Sequence, residues 1–181
     1  LFMYEYLHRI LGRIIGIIFF IPLLYFTLRK AIPLVLIPRL YLLLILGGFQ
    51  GVLGWYMVKS GLVDDPNVSQ YRLTAHLGMA VFIYSLILWT VFDLSLNYNH
   101  AIRSRIKWMS STLTLLIFLM ILSGGLVAGT RAGIPFPTWP LMGDTFIPPQ
   151  IDSMNPRWLS AFEDMATIQF NHRMFAYLLT I

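Results

Sequence analysis

Cysteine is absent from the 181 residues, which excludes disulfides, thiolate metal sites, iron–sulfur clusters and cysteine nucleophiles in this chain. Charge is scarce: Asp, Glu, Lys and Arg make up 12% of the sequence, half the ~25% usual in soluble domains. A soluble globular domain is not expected. A continuous basic stripe is lacking as well. The 13 Lys and Arg residues that give a net charge of +5 are dispersed among apolar runs, so nucleic acid is not an expected partner. What fills the sequence instead is apolar, 57% of it. At about 20 residues per membrane-crossing helix, the length allows at most about six or seven spans.

Five apolar segments stand out, roughly 4–29, 39–58, 71–96, 108–130 and 159–181. Lipid offers the backbone no hydrogen-bond partners, so segments of this length must form helices. The expected fold is all-α, a polytopic membrane protein with about five transmembrane helices. Pro33 and Pro38 bracket the first connection, and Asp64-Asp65-Pro66-Asn67 marks the second as a turn. Arg29, Lys30 and Arg39 gather around the first connection, and Arg103, Arg105 and Lys107 around the third. Positive-inside bias places both in the cytoplasm or matrix, so the first, third and fifth helices run from the outer to the inner side. Glu5, Arg9 and Arg13 within the first segment argue against a signal peptide. Leu1 is preceded by no initiator Met, and eight residues, Met174 to Ile181, follow Arg173. Those residues cover about 12 Å of a bilayer core about 30 Å thick. The expectation is a fragment of a longer protein, inactive alone.

The sequence also repeats itself. Glu5-Tyr6-Leu7-His8-Arg9 and Gln169-Phe170-Asn171-His172-Arg173 share the order acid or amide, aromatic, any residue, His-Arg. Both lie on outer-to-inner segments, which points to two similar halves. His8, His76 and His172 fall inside predicted helices, where an ionisable residue is costly and marks a function by default. Two neutral imidazoles facing across a bundle can supply both axial ligands of a heme iron. The plainer alternative is a histidine hydrogen-bonded to a neighbouring helix. Zinc competes as the metal, with His8, His76 and Glu5 as three ligands. His100, between Asn99 and Ala101 in a basic connection, reads as a solvated loop residue.

Glu5 precedes His8 by three residues and shares its helix face. It can hold a proton or orient a substrate, or simply pair with Arg9. Arg9, Arg13 and Arg173 can clamp porphyrin propionates or snorkel to headgroups. Gly47 and Gly51, and Gly125, Gly129 and Gly133, repeat at spacings of four, the signal for close helix packing. Gln50 and Gln169 need partners at membrane depth. The 131–158 connection, with Trp139-Pro140-Leu141-Met142, is too apolar for a plain linker and is expected to fold back as a lid.

Together these segments resemble the heme A synthase family. The resemblance rests on Glu5-Tyr6-Leu7-His8-Arg9 with Gly12-Arg13, and on the run from Gly47-Gly48-Phe49-Gln50-Gly51 through Trp55-Tyr56-Met57 to Ser60-Gly61-Leu62. It continues through Tyr71-Arg72-Leu73-Thr74-Ala75-His76-Leu77, Gly125-Leu126-Val127-Ala128-Gly129, Thr138-Trp139-Pro140-Leu141-Met142 and Gln169-Phe170-Asn171-His172-Arg173. These motifs cover nearly the whole chain, in the family's order. Pro137 stands where Asn is expected in most members.

The resemblance implies eight transmembrane helices in two pseudo-symmetric four-helix bundles, each with a histidine pair facing a heme. Residues 1–97 would be the amino-terminal bundle without its first helix, and 98–181 the start of the second. His8 and His76 would face the substrate heme O, with Glu5 as the catalytic acid. His172 would ligate the cofactor heme b, its partner lying as far beyond His172 as His76 lies beyond His8. Arg9 and Arg173 would bind propionates. The implied reaction turns a methyl group of heme O into a formyl group, by two rounds of oxidation and loss of water, to make the heme A of terminal oxidases. An electron donor protein, and heme O synthase as a source of substrate, would be partners. The location would be a bacterial plasma membrane or mitochondrial inner membrane. The rival functions are a di-heme b-type cytochrome for electron transfer and a non-catalytic heme chaperone or transporter.

Overall fold

The computed structural model describes residues 2–59, 68–96 and 104–180. The Asp64-Asp65-Pro66-Asn67 turn, Ser60-Gly61-Leu62, His100 and Arg103 lie outside the described residues. Among those described, the only ladder-type pairing is an isolated bridge between Met142 and Thr145; the rest is helix and turn.

Four long helices come first: α1 (Phe2–Leu28), α2 (Ile37–Lys59), α3 (Gln70–Ser95) and α4 (Ser104–Thr130). Each is long and apolar enough to cross a membrane, and the protein is an integral membrane protein. Large apolar side chains such as Ile14, Ile17, Ile18, Phe20 and Ile21 stand exposed along α1. In water such a surface would drive association; in lipid it is already solvated. The interior is correspondingly small, with Leu23, Leu43, Ala132, Met142, Ala166 and Ile168 as its buried apolar side chains among the described residues.

The fifth apolar segment is interrupted. A 3-10 turn at Arg157–Leu159 leads into α5 (Ser160–Glu163), and α6 (Met165–Thr180) follows after Asp164 leaves the helical region at φ −89°, ψ 120°. Asp164 then caps α6. Its Oδ2 accepts from the Thr167 backbone N at 2.9 Å and from the Thr167 hydroxyl at 2.5 Å, satisfying one of the free amides of the first turn. At 16 residues, α6 is about 24 Å long.

α1 and α4 stop in the same way. Lys30 (φ 52°) and Arg131 (φ 57°) adopt the left-handed conformation. Ala31 N then bonds Phe26 O, and Ala132 N bonds Val127 O, both at 3.0 Å. This is the Schellman closure usually given to glycine, here built on a basic residue.

The chain forms two compact units, Leu1–Trp55 with Phe82–Leu96, and Tyr56–Val81 with Asn97–Ile181. Within the first, Arg39 Nη1 donates to Asp93 Oδ2 at 2.7 Å, tying the start of α2 to the end of α3. Within the second, Arg72 lies 3.8 Å over the Tyr56 ring and donates to Tyr56 O at 3.1 Å.

The second unit is organised by a close antiparallel crossing of α3 and α4. A Cβ on Gly129 would lie 2.5 Å from Gln70 Cα, and one on Gly125 would lie 2.8 Å from Thr74 Oγ1 and 3.1 Å from Thr74 Cα. Only glycine lets these backbones approach so closely. Gly78 on α3 answers with space for Leu122 of α4. The packing expected of Gly125 and Gly129 is present. That expected of Gly47, Gly51 and Gly133 is not, because a Cβ on any of them would meet nothing within 4 Å.

Candidate functional site

His172 sits on the second turn of α6, half-buried, where α6 packs along α4. Its Nδ1 lies 2.7 Å from Ser123 Oγ of α4. The neighbouring Gly124 has no side chain, and a Cβ there would sit 3.4 Å from His172 Cε1. The edge of the imidazole at Cε1 therefore faces α4 where it carries no side chain. Gln169 Oε1 and Tyr177 OH of α6 and Thr74 Oγ1 of α3 are buried with no hydrogen-bond partner among the described residues. Buried polar atoms are normally paired, so these positions suit a group with polar edges.

His76 is half-buried on α3, midway between Thr74 and Gly78, the two residues that meet α4. At 100° per residue, two steps from either neighbour turn His76 to the side of α3 facing away from α4. α3 thus presents small residues to α4 on one side and a histidine on the other.

Glu5, His8, Arg9 and Arg13 are all exposed along α1. The first and third are brought together: Arg9 Nη2 pairs with Glu5 Oε1 across one helical turn. His8 belongs to the first compact unit, and His76 and His172 to the second. Among the described residues, no group of three or more His, Asp or Glu side chains is placed to hold a metal ion. A heme iron asks less of the chain, two axial nitrogens at most.

Arg173 closes the connection between α4 and α6. Its Nη2 donates to Phe136 O at 2.8 Å and its Nη1 to Leu141 O at 3.1 Å. The segment it holds is folded on itself. Thr138 Oγ1 donates to Leu141 O at 2.8 Å and accepts from Gly143 N at 2.9 Å, and Met142 N bonds Thr145 O at 2.8 Å. Met142 and Pro148 are buried. Further along, Asp152 N donates to Thr167 Oγ1 at 2.9 Å and Met154 N to Ser160 Oγ at 3.1 Å. The apolar connection expected to fold back does so, onto α6.

A second set of contacts ties α3 to the short α5. Tyr71 OH donates to Glu163 Oε1 at 2.6 Å and Gln70 Nε2 to Phe162 O at 3.4 Å. An open cleft of about 630 Å³ lies there, lined among others by Gln70, Gly129, Arg131 and Glu163. Its lining holds none of the expected heme ligands.

Ser123 was not among the residues singled out by sequence. A serine inside an apolar helix has to spend its hydroxyl somewhere, and that was the available signal.

The whole chain, residues 1–181, matches the model of the cytochrome oxidase assembly protein family. It is 49% identical over 186 residues to the heme A synthase of Nitrosospira multiformis, covering 100% of this chain and 52% of that protein. It is 45% identical over 181 residues to the heme A synthase of Parvibaculum lavamentivorans, covering 100% of this chain and 53% of the relative. With the heme A synthase of Nitrosomonas eutropha the identity is 46% over 184 residues, 99% of this chain and 52% of the relative. The chain thus spans about half the length of the curated relatives it matches. No solved structure matches it significantly. With its four membrane-length helices and a family match over every residue, the chain belongs to the cytochrome oxidase assembly protein family.

Proposed function

We propose that the protein of which this chain is part is a heme A synthase, oxidising the methyl group of heme O to a formyl group. What carries this reading is the match along the entire chain to proteins of that name. The residues present fit a heme. His172 offers an imidazole whose Nδ1 is already engaged, so Nε2 is the nitrogen left for iron, and the unpartnered Gln169 Oε1, three residues before it, shares its face of the helix.

A methyl C–H bond is too strong for any side chain to oxidise unaided, so bound heme iron supplies the redox chemistry. The chain supplies position and proton handling. His8 and His76 are proposed as the pair facing the substrate heme O, and His172 as one ligand of a heme b in the second of two pseudo-symmetric four-helix bundles. The bundle division is placed near residue 97. Glu5 is proposed as the catalytic acid: Arg9 occupies Oε1, leaving Oε2 to take or return a proton beside the substrate methyl. Arg9 and Arg173 are proposed as propionate partners. A guanidinium has five donors, and Arg173 uses two of its nitrogens on the connection above it, so one residue can hold both the lid and a carboxylate. An electron donor protein is required, and heme O synthase is the proposed source of substrate.

The test is pigment analysis of the full-length protein expressed with a source of heme O. Heme B from the cofactor site together with hemes A and O is expected in wild type, and Glu5→Ala should lose heme A while keeping hemes B and O bound. Heme B alone in wild type would make the protein a b-type cytochrome. Release of unmodified heme to an acceptor without turnover would make it a chaperone.

A further inference from the structure

We propose that Ser123 is a positioning residue that fixes the tautomer and ring orientation of His172, so that Nε2 presents its lone pair to the heme iron. This rests on the reading of His172 as an axial ligand and goes beyond it, to what makes that histidine competent.

Ser123 lies in the apolar interior of α4, where its hydroxyl has no water to turn to. Its Oγ sits 2.8 Å from Met120 O, three residues back along the same helix, and 2.7 Å from His172 Nδ1. A hydroxyl has one proton to donate and lone pairs to accept with. A serine within a helix commonly gives that proton to a carbonyl of the preceding turn, and Met120 O can only accept. The proton therefore goes to Met120 O, and the contact with the imidazole runs the other way, from Nδ1–H to Oγ. A neutral imidazole carries a single N–H. With that proton on Nδ1, Nε2 is bare and able to ligate.

The surroundings are compatible with the same arrangement. A Cβ on Gly124 would stand 3.4 Å from Cε1, so the glycine leaves the ring free room on that edge and the hydroxyl is the contact that sets its rotation. Ser123 stands on a helix itself locked to α3 through Gly125 and Gly129. On the other side, Arg173 anchors α6 one residue beyond the ligand. Metal-bound histidines generally donate their second N–H to an oxygen that orients the ring and raises its basicity. Here a serine hydroxyl takes the place more often filled by a carboxylate or a backbone carbonyl.

A serine that merely satisfied a buried histidine would alter stability and nothing else. A serine that sets the ligand alters the electronic state of the iron, which gives the test. In the full-length protein, Ser123→Ala should shift the ferric electron paramagnetic resonance g values of one heme and raise its midpoint potential, because the ligand becomes less electron-donating. Transfer of that heme to a scavenging apoglobin should accelerate roughly 10-fold or more. The other heme serves as an internal control and should not change. Ser123→Thr keeps the hydroxyl and should restore wild-type values. Unchanged g values, potential and transfer rate in Ser123→Ala would overturn the proposal, as would the same shift in both variants. If the Ala variant does not accumulate, the wild-type protein still decides. A slowly exchanging Nδ1–H resonance from the ligand is expected, and rapid exchange in deuterated buffer contradicts the bond. His172→Ala tests the underlying reading separately. A full heme complement with wild-type spectra in that variant would remove His172 as a ligand, whatever Ser123 does.

Discussion

Gly129→Ala adds one carbon and two hydrogens at the point where α3 and α4 come nearest. The new Cβ would stand 2.5 Å from Gln70 Cα and 2.6 Å from Gln70 Cβ, whereas carbon atoms settle at about 3.5–4.0 Å. The shortfall is roughly 1 Å or more. Because Gln70 Cα is backbone, no rotamer change removes it, and one helix must move against the other. Overpacking of this kind costs about 1–3 kcal/mol. The substitution also returns up to about 1 kcal/mol of helix propensity. The expected net loss is about 1–2 kcal/mol, a factor of 5–30 in the folded-to-unfolded ratio. Two glycines act as controls. Gly47→Ala meets nothing within 4 Å and should be neutral or slightly stabilising. Gly78→Ala meets Leu122 Cδ2 at 2.6 Å, the end of a side chain that can rotate, and Phe118 Cζ only at an ordinary 3.8 Å, and should fall between. The assay is thermal or denaturant unfolding of the full-length protein in one detergent, read by circular dichroism. If Gly129→Ala is as stable as Gly47→Ala, the close crossing does not exist and the reasoning fails.

Other outcomes follow from the same contacts. Asp164→Ala should cost about 0.5–2 kcal/mol of helix stability by removing the α6 cap, seen as faster hydrogen exchange at the Thr167 amide; Asp164→Asn should lose less. Arg173→Leu should free the connection that holds Trp139, since each charge-assisted bond it loses is worth about 1.5–3 kcal/mol. Limited proteolysis between residues 136 and 147 should then become rapid, and resistance equal to wild type would show that Arg173 is not the anchor. Arg131→Gly should stabilise by about 1 kcal/mol, because glycine adopts the left-handed conformation at the end of α4 without the penalty an L side chain bears; a drop in melting temperature would contradict this.

The helices were legible because their cause is local. An apolar run in lipid has no alternative to internal hydrogen bonding, so α1 to α4 fall within a few residues of the expected segments. The fifth did not, since the break at Asp164 comes from a polar residue that caps one helix by ending another, and hydropathy does not register that. The glycine spacings were equally visible at Gly47 and Gly51 and at Gly125 and Gly129. Yet only the second pair meets a neighbour, because spacing on one helix carries no information about which face another helix occupies.

The candidate site divides along the same line. Sequence marked His8, His76 and His172 by the cost of an imidazole in a membrane and by the repeated Glu/Gln-aromatic-x-His-Arg pattern. It also paired Glu5 with Arg9, four residues apart on one helix. Ser123 and Gly124 lie far from His172 along the chain, so no period or motif linked them to it.

The sequence by itself determined that this is a helical membrane protein, through hydropathy and basic connections, and its ordered motifs carried the resemblance to the heme A synthase family. Only tertiary structure decided that Ser123 reaches His172, that Arg173 spends its guanidinium on the carbonyls of Phe136 and Leu141, and that His76 faces away from α4. Each depends on side chains from separate elements meeting in space, and the local forces that shape one helix leave those meetings open.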